Sequence, residues 1–361
     1  MHFGQFNLMG YREPGTPAHR LYDEAVAQVR AAEAAGFEIA WFAEHHFSNY
    51  CVCPSPLLML ARLAGETSRI RLGSGVVVVP LYHPARLISE IGMVDALTHG
   101  RLVLGVGSGY QPYEFERFGE ELAESTPKLL EFMEMLELAF GQEVFRYEGR
   151  HYRMPETHIA PRPVAGLPDV WVAGDNPELH RLAARRGYAV MVTPRHFTAE
   201  MLAAARRRFE AVYREVGQDP ACLRFAALRH MCVTDSRAEA TEFLDHVRHQ
   251  IRLSQSLRNR EQAMRGAMLV EKPWAGEAPL EEMARHMLVG PPEAIAERMA
   301  EEIRRAEPCH YLLQFQAGGS TLPLALRSIE RFATEVRPLL ERALGPLERI
   351  GVPDPAAVAA A

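Results

Sequence analysis

Glu44-His45-His46-Phe47 sets a carboxylate and two imidazoles in consecutive positions at the end of a β-rich run. Imidazole titrates near neutrality, so it can both accept and donate a proton at ordinary pH. Side chains alternate across a strand, so only one of two adjacent histidines naturally faces a site at the strand's end. His45 is assigned to chemistry, His46 to packing, and Glu44 is the candidate carboxylate for orienting the His45 ring. Tyr82-His83-Pro84 supplies a third strand-end histidine. Gly105-Val106-Gly107-Ser108-Gly109-Tyr110 is a glycine-rich bend that lets a flat ring or a phosphate approach the backbone. Its spacing departs from the G-x-G-x-x-G of dinucleotide sites. Gly174-Asp175-Asn176-Pro177-Glu178 reads as a helix cap with proline at the first helical position. Such helix starts offer N–H groups to phosphates, although carboxylates at Asp175 and Glu178 oppose one placed too close. A metal site on His45 and His83 with Glu44 or Asp95 would need further strand-end histidines, and no such set converges. No metal is expected.

These segments need a frame that brings strand ends together. Short β-rich runs at Phe3–Leu8, Glu38–Ala43, Ile70–Val79, Leu102–Val106, Val170–Ala173, Ala189–Val192, Leu223–Val233 and Tyr311–Gln316 alternate with helical stretches. Apolar residues at 21, 25, 26, 29 and 32 mark the first helix, which Gly36 closes, and those at 129, 132, 133, 136 and 140 mark a later one. The helix over 323–344 ends the series. Eight β-α units predict an α/β fold, a (β/α)8 TIM barrel with its active site at the C-terminal ends of the strands; a doubly wound open sheet is the alternative. Two stretches break the rhythm. Residues 141–169 form an excursion before strand 5. The insertion at about 234–290, between strands 7 and 8, is too long for one helix, and 254–290 is expected to act as a lid. Residues 1–350 are read as a single domain and 351–361 as a flexible tail.

Composition narrows the function classes. The 361 residues carry 40 Lys+Arg against 46 Asp+Glu, a formal charge of -6, with no long basic run, so neither nucleic acid nor a membrane surface is an expected partner. No run approaches the roughly 18 apolar residues that span a bilayer. The five scattered cysteines suit a reducing compartment, and a cytoplasmic location is expected.

Taken in order, the motifs resemble the bacterial luciferase family of flavin-dependent monooxygenases, particularly its catalytic subunit. The resemblance rests on Met1-His2-Phe3-Gly4-Gln5-Phe6, on Ala34 through Phe47 with its Glu-His-His-Phe, and on Ile70-Arg71-Leu72-Gly73-Ser74-Gly75. It continues through His83-Pro84-Ala85-Arg86, Asp95 to Arg101, Gly105 to Tyr110, Phe118-Gly119, Gly290-Pro291-Pro292-Glu293, and Phe332 to Pro338. It implies a barrel that takes reduced FMN (FMNH2) from a separate NAD(P)H:flavin reductase. Dioxygen then adds to give a C4a-hydroperoxyflavin, and one oxygen is inserted into a small, mostly apolar organic substrate. His45 matches the family's catalytic histidine, and Gly75-Val76 a position where many members have a cis peptide beneath the flavin. Gly107 and Ser108 stand where the luciferase subunit has a cysteine and a phosphate-binding arginine. Ser108, Tyr110, Ser125, Thr126, Lys128 and Gly174, Asp175, Asn176 are therefore expected to hold the cofactor without a strand-end guanidinium. Phe6, Trp41, Phe115 and Trp274 are candidates for the substrate pocket. The resemblance also implies a homodimer paired through helices two and three. Two other functions stay open: a deazaflavin (F420)-dependent hydride-transfer oxidoreductase of the same barrel family, and a non-catalytic flavin-binding subunit.

Overall fold

The computed structural model describes residues 1–192 and 198–353. The tail expected at 351–361 therefore lies mostly outside the described residues. Eight parallel strands close into a barrel: β1 (His2–Asn7), β2 (Ile39–Phe42), β3 (Arg71–Ser74), β4 (Leu102–Gly107), β5 (Asp169–Ala173), β6 (Ala189–Val192), β7 (Phe225–Val233) and β8 (His310–Gln314). Each pairs with the next, and β8 returns to β1 with His310 opposite His2 and Leu313 opposite Gln5. All eight expected strands are present, and closure excludes the open sheet. Among the described residues, no helix is long and apolar enough to cross a membrane.

Helices α1 (Ala18–Ala34), α2 (Pro56–Ala64), α3 (Pro84–Leu97), α4 (Pro112–Phe118), α5 (Ser125–Gly141), α6 (Pro177–Arg186) and α7 (Ala199–Glu215) follow the first six strands. Asn176 caps α6 as expected; Ser55 caps α2, and Gly119 and Gly187 take left-handed conformations after α4 and α6. The excursion at 141–169 contains a hairpin, Phe145–Glu148 against Arg153–Thr157. Its turn is tied to α5 by the Glu131 carboxylate, which accepts from the N–H groups of Arg150, His151 and Tyr152.

The insertion is a composite. It comprises α8 (Arg237–Arg258), a two-residue hairpin (Met264–Arg265 with Met268–Leu269), α9 (Leu280–His286) and a strand, Leu288–Gly290, that adds to β7 in parallel. α10 (Pro292–Ala306) then leads into β8. That added strand was not anticipated, because three residues are too few to show a period.

Two local readings change. Ile70–Val79 is not one continuous strand: β3 stops at Ser74, the Gly75–Val76 peptide is cis, and Val77–Val78 resumes pairing against Val106 and Gly107. The final helix over 323–344 divides into α11 (Leu322–Arg331), a π-helical turn (Phe332–Val336) and α12 (Arg337–Leu344). Pro338 lacks the N–H that a regular ladder needs there, which loosens the preceding turn.

The barrel interior explains why Trp41 is not where it was expected. Its ring is fully buried among the strands, edge-on to Trp171 at 5.2 Å and to His310 at 5.8 Å, and its Nε1–H donates to His310 Nε2 at 3.1 Å. Gly73 admits it, since a Cβ at 73 would lie 2.5 Å from the indole. Trp41 is a core residue, worth about 1.5–3 kcal/mol of apolar burial for a large side chain.

Candidate active site

A cleft of about 720 Å³ opens at the C-terminal ends of the strands, large enough for a cofactor together with a small substrate. Its floor is apolar and flat: Phe6 from β1, the Gly75–Val76 segment after β3, Gly107 ending β4, Ala173 from β5 and Leu228 from β7. A Cβ on Gly107 would stand 2.7 Å from Val76 Cγ2, so a larger residue would fill the floor. Ser74 sets this geometry from below. Its hydroxyl donates to Gly105 O at 2.8 Å and accepts from Gly105 N at 2.9 Å, locking the end of β3 to β4.

The end of β2 carries the titratable groups. Glu44 is fully buried and binds its neighbours with both oxygens: Oε1 lies 3.0 Å from His46 Nε2, and Oε2 accepts from Val78 N and the Tyr82 hydroxyl, each at 3.0 Å. Burial raises its carboxyl above the ordinary value despite these bonds, and burial beside Glu44 likewise raises the Tyr82 phenol. Glu44 therefore orients His46 and the segment after the cis peptide, not His45. His46 turns into packing against Phe118, with ring centroids 4.8 Å apart.

His45 lines the cleft, and its carboxylate partner is Glu114 from α4. Nδ1 is 3.1 Å from Glu114 Oε1, and the same oxygen accepts from His46 N at 2.7 Å. Glu114 is 1% exposed, so this pairing is shielded from water. A carboxylate can only accept, so Nδ1 carries the proton and Nε2 is the acceptor available to a ligand. Gln111 also lies 3.1 Å from Nδ1 and 3.1 Å from the Tyr110 hydroxyl. One proton at Nδ1 serves Glu114, which turns the amide oxygen of Gln111 toward the ring. Tyr50 at 4.9 Å and Tyr110 at 5.5 Å flank the imidazole. Glu114, Gln111 and Tyr50 were missed from sequence. Only Pro112, marking a helix start after strand 4, hinted that a side chain two residues on would point back at the β2 end.

The other expected site residues divide. Ser108, Tyr110, Ser125, Thr126, Gly174, Asp175 and Asn176 all line the cleft. Asn176 Nδ2 donates to Thr126 Oγ1 at 3.0 Å, joining the α5 and α6 starts into one polar wall. The α6 start offers fewer donors than expected: Asn176 Oδ1 already takes Glu178 N, Asn176 O takes Leu179 N, and Pro177 has no N–H. Lys128 is ion-paired with Glu120. Phe115 is buried beneath Gly109, and Trp274 packs against the apolar side of α8 with Phe243 and Val247; neither lines the cleft. His83 is exposed at the start of α3, apart from His45. Among the described residues, no three His, Cys, Asp or Glu side chains are grouped to hold a metal ion.

α8 forms the roof with Gln250, Ile251, Ser254, Gln255 and Arg258. The Arg258 guanidinium lies 4.3 Å from the centre of the Tyr110 ring. Gln250 and Gln314 pair amide to amide at 2.9 and 3.2 Å, and Gln250 Nε2 reaches His230 Nε2 at 3.2 Å. The flat glycine floor, the hydroxyl wall and an imidazole at the edge fit a planar, phosphate-bearing ring system such as FMN.

Comparison with known proteins identifies the family. The family model for luciferase-like monooxygenases matches residues 1–307. The chain belongs to that family of monooxygenase enzymes. It is 36% identical over 347 residues to the protein y4vJ of Sinorhizobium fredii, covering 96% of this chain and 99% of that one. It is 33% identical over 224 residues to the oxygenase component of the flavin-dependent trigonelline monooxygenase of Acinetobacter baylyi, covering 61% of this chain and 62% of that protein. The fold is shared with the oxygenating constituent of 3,6-diketocamphane monooxygenase from Pseudomonas putida, solved with FMN. The TM-score is 0.75 at 21% identity, over 94% of this chain and 98% of that one.

Proposed function

We propose that this chain is the oxygenase component of a two-component system, receiving reduced FMN from a separate NAD(P)H:flavin reductase and inserting one atom of dioxygen into a small organic substrate. The observation that carries the reading is the placement of His45, tautomer-locked by Glu114, beside a floor kept flat by Gly75 and Gly107. The trigonelline relative is named an oxygenase component, which supports the division of labour.

Bound reduced flavin supplies the electrons that activate dioxygen. The protein supplies the rest. Phe6, Val76 and Leu228 exclude water beneath the ring. Ser108, Ser125, Thr126 and Asn176 hold the phosphate with neutral donors. Nε2 of His45 accepts or returns a proton at the reacting edge, and Glu114 stabilises the imidazolium formed when it accepts one. α8 covers the mouth.

The test is a coupled assay with reductase, NADH and FMN, run beside spectral titrations with FMN and F420. The reading predicts FMN binding and oxygen consumption matched to oxygenated product. Binding of F420 in place of FMN, with hydride transfer and no oxygen uptake, would overturn it in favour of the hydride-transfer reading.

A further inference from the structure

Arg258 is the only lysine or arginine among the described residues lining the cleft. It projects from the last turn of α8, which packs against α4, the helix that bears Glu114. Its guanidinium is stacked on Tyr110 at 4.3 Å, and that tyrosine is itself anchored: its hydroxyl is 3.1 Å from the Gln111 amide and 3.4 Å from Ser254 Oγ. Stacking on a fixed ring orients the planar fork of an arginine, which lowers the cost of presenting it to a carboxylate. Tyr110 also lies edge-on to His45 at 5.5 Å. The two spacings laid end to end keep the guanidinium within about 10 Å of the His45 ring.

We infer that Arg258 anchors the carboxylate of a ring-bearing acid, and that this cleft therefore takes a small aromatic or heteroaromatic carboxylate as its organic substrate. With the carboxylate on Arg258, at most about 10 Å remains to His45, which one ring with hydrogen-bond lengths at both ends can bridge. The ring's faces then meet apolar and aromatic surfaces, including Ile251 and Tyr50, which suits a flat apolar body. The neutral hydroxyl wall of Ser125 and Thr126, with Asn176, stands on α5 and at the start of α6, elements other than the one that bears Arg258, and is left to the phosphate. A guanidinium–carboxylate pair in a partly closed cleft is the charge-assisted contact that separates an acid from its neutral analogue. The inference rests on the flavin reading only for where the cofactor lies.

The experiment is a ligand-observed NMR titration of the full chain with benzoate and with its neutral counterpart benzamide, at low salt. Fluorescence titrations with oxidised FMN and riboflavin run beside it. The wild type is expected to prefer benzoate by about tenfold or more. Arg258→Met should erase that preference while the FMN-to-riboflavin affinity ratio stays within about twofold, and Arg258→Lys should restore part of the preference. Equal binding of the two probes by the wild type, or a preference that survives in Arg258→Met, overturns the inference. So does an Arg258→Met variant that keeps the benzoate preference and loses FMN-to-riboflavin discrimination, because the cation then serves the flavin phosphate. Failure of the flavin reading is seen separately: neither FMN nor riboflavin binds the wild type, whatever the benzoate result.

Discussion

The floor of the cleft is held by strand ladders and apolar packing, whereas its roof is fastened by charges. Gly75, Gly107 and Phe6 sit on a closed barrel whose interior is filled by residues such as Trp41, Trp171 and His310. Above them, Arg12 reaches Asp245 at 2.6 Å and Glu271 at 3.2 Å, and Glu271 also meets His249 at 2.9 Å and Arg252 at 2.8 Å. Arg252 holds Glu277 as well, and Asn49 Oδ1 takes the N–H of Leu269 at 2.8 Å. Dispersion and main-chain ladders are short-ranged and hard to titrate. Partly exposed ion pairs are individually weak and respond to pH and salt. The difference suits a site whose chemical face must stay fixed while its cover admits substrate.

The largest effect is expected at the fixed face. His45→Ala should retain the fold and most flavin binding, yet lose coupling of oxygen consumption to product by about 10²-fold or more. Wild-type coupling in that variant would remove His45 from the chemistry. Glu114→Gln should lower coupled turnover by about tenfold and move its pH profile, because an amide no longer enforces the Nδ1–H tautomer. An unchanged profile would reduce Glu114 to a structural partner of His46 N. Trp41→Phe separates core from cleft. It leaves His310 Nε2 without its donor and should cost about 1–3 kcal/mol in denaturant unfolding, while FMN affinity stays within about twofold. A tenfold loss of affinity would show that the cleft reaches Trp41 after all.

The smallest effect belongs to the roof. Burial holds His249 below its ordinary value of 6.5 despite the bond to Glu271, and burial followed by Arg12 does the same for His246. A histidine whose folded value is lowered contributes stability above its unfolded value, and that contribution is lost as pH falls through the folded value. Burial pushes the Glu271 carboxyl up, but bonds from His249 and Arg252 and the charge of Arg12 leave it below the ordinary carboxyl value. Its contribution is present above about pH 4 and lost below. Hydrogen exchange over 259–290, corrected for intrinsic rates, should therefore quicken as pH falls from 7 to 5, while amides of β3 and β4 stay unchanged. Equal acceleration in both regions would contradict the contrast between floor and roof.

The same contrast governs what could be read from residues alone. Strand and helix periods repeat over whole elements, so all eight strands and the cap before Pro177 were legible, as was the placing of His45 and His46 on opposite sides. Carboxylate partners were not. Glu44 is one residue from His45 in the chain and serves His46, while Glu114, 69 positions away, serves His45. Burial sorted the aromatics in the same way: Phe6 reached the cleft, whereas Trp41 and Phe115 went into the core and Trp274 beneath α8. In the sequence Arg258 is just one arginine of Arg258-Asn259-Arg260, because its value lies in the tyrosine beneath it.

The most direct test of the account is a crystal structure of the chain soaked with FMN. The account predicts the isoalloxazine ring lying on Gly75–Val76 and Gly107, with His45 Nε2 within hydrogen-bond reach of the ring's reacting edge and the phosphate against Ser125, Thr126 and Asn176. A flavin ring bound away from that floor, or one whose reacting edge faces the Gln250–Gln314 side with His45 out of reach, would contradict it.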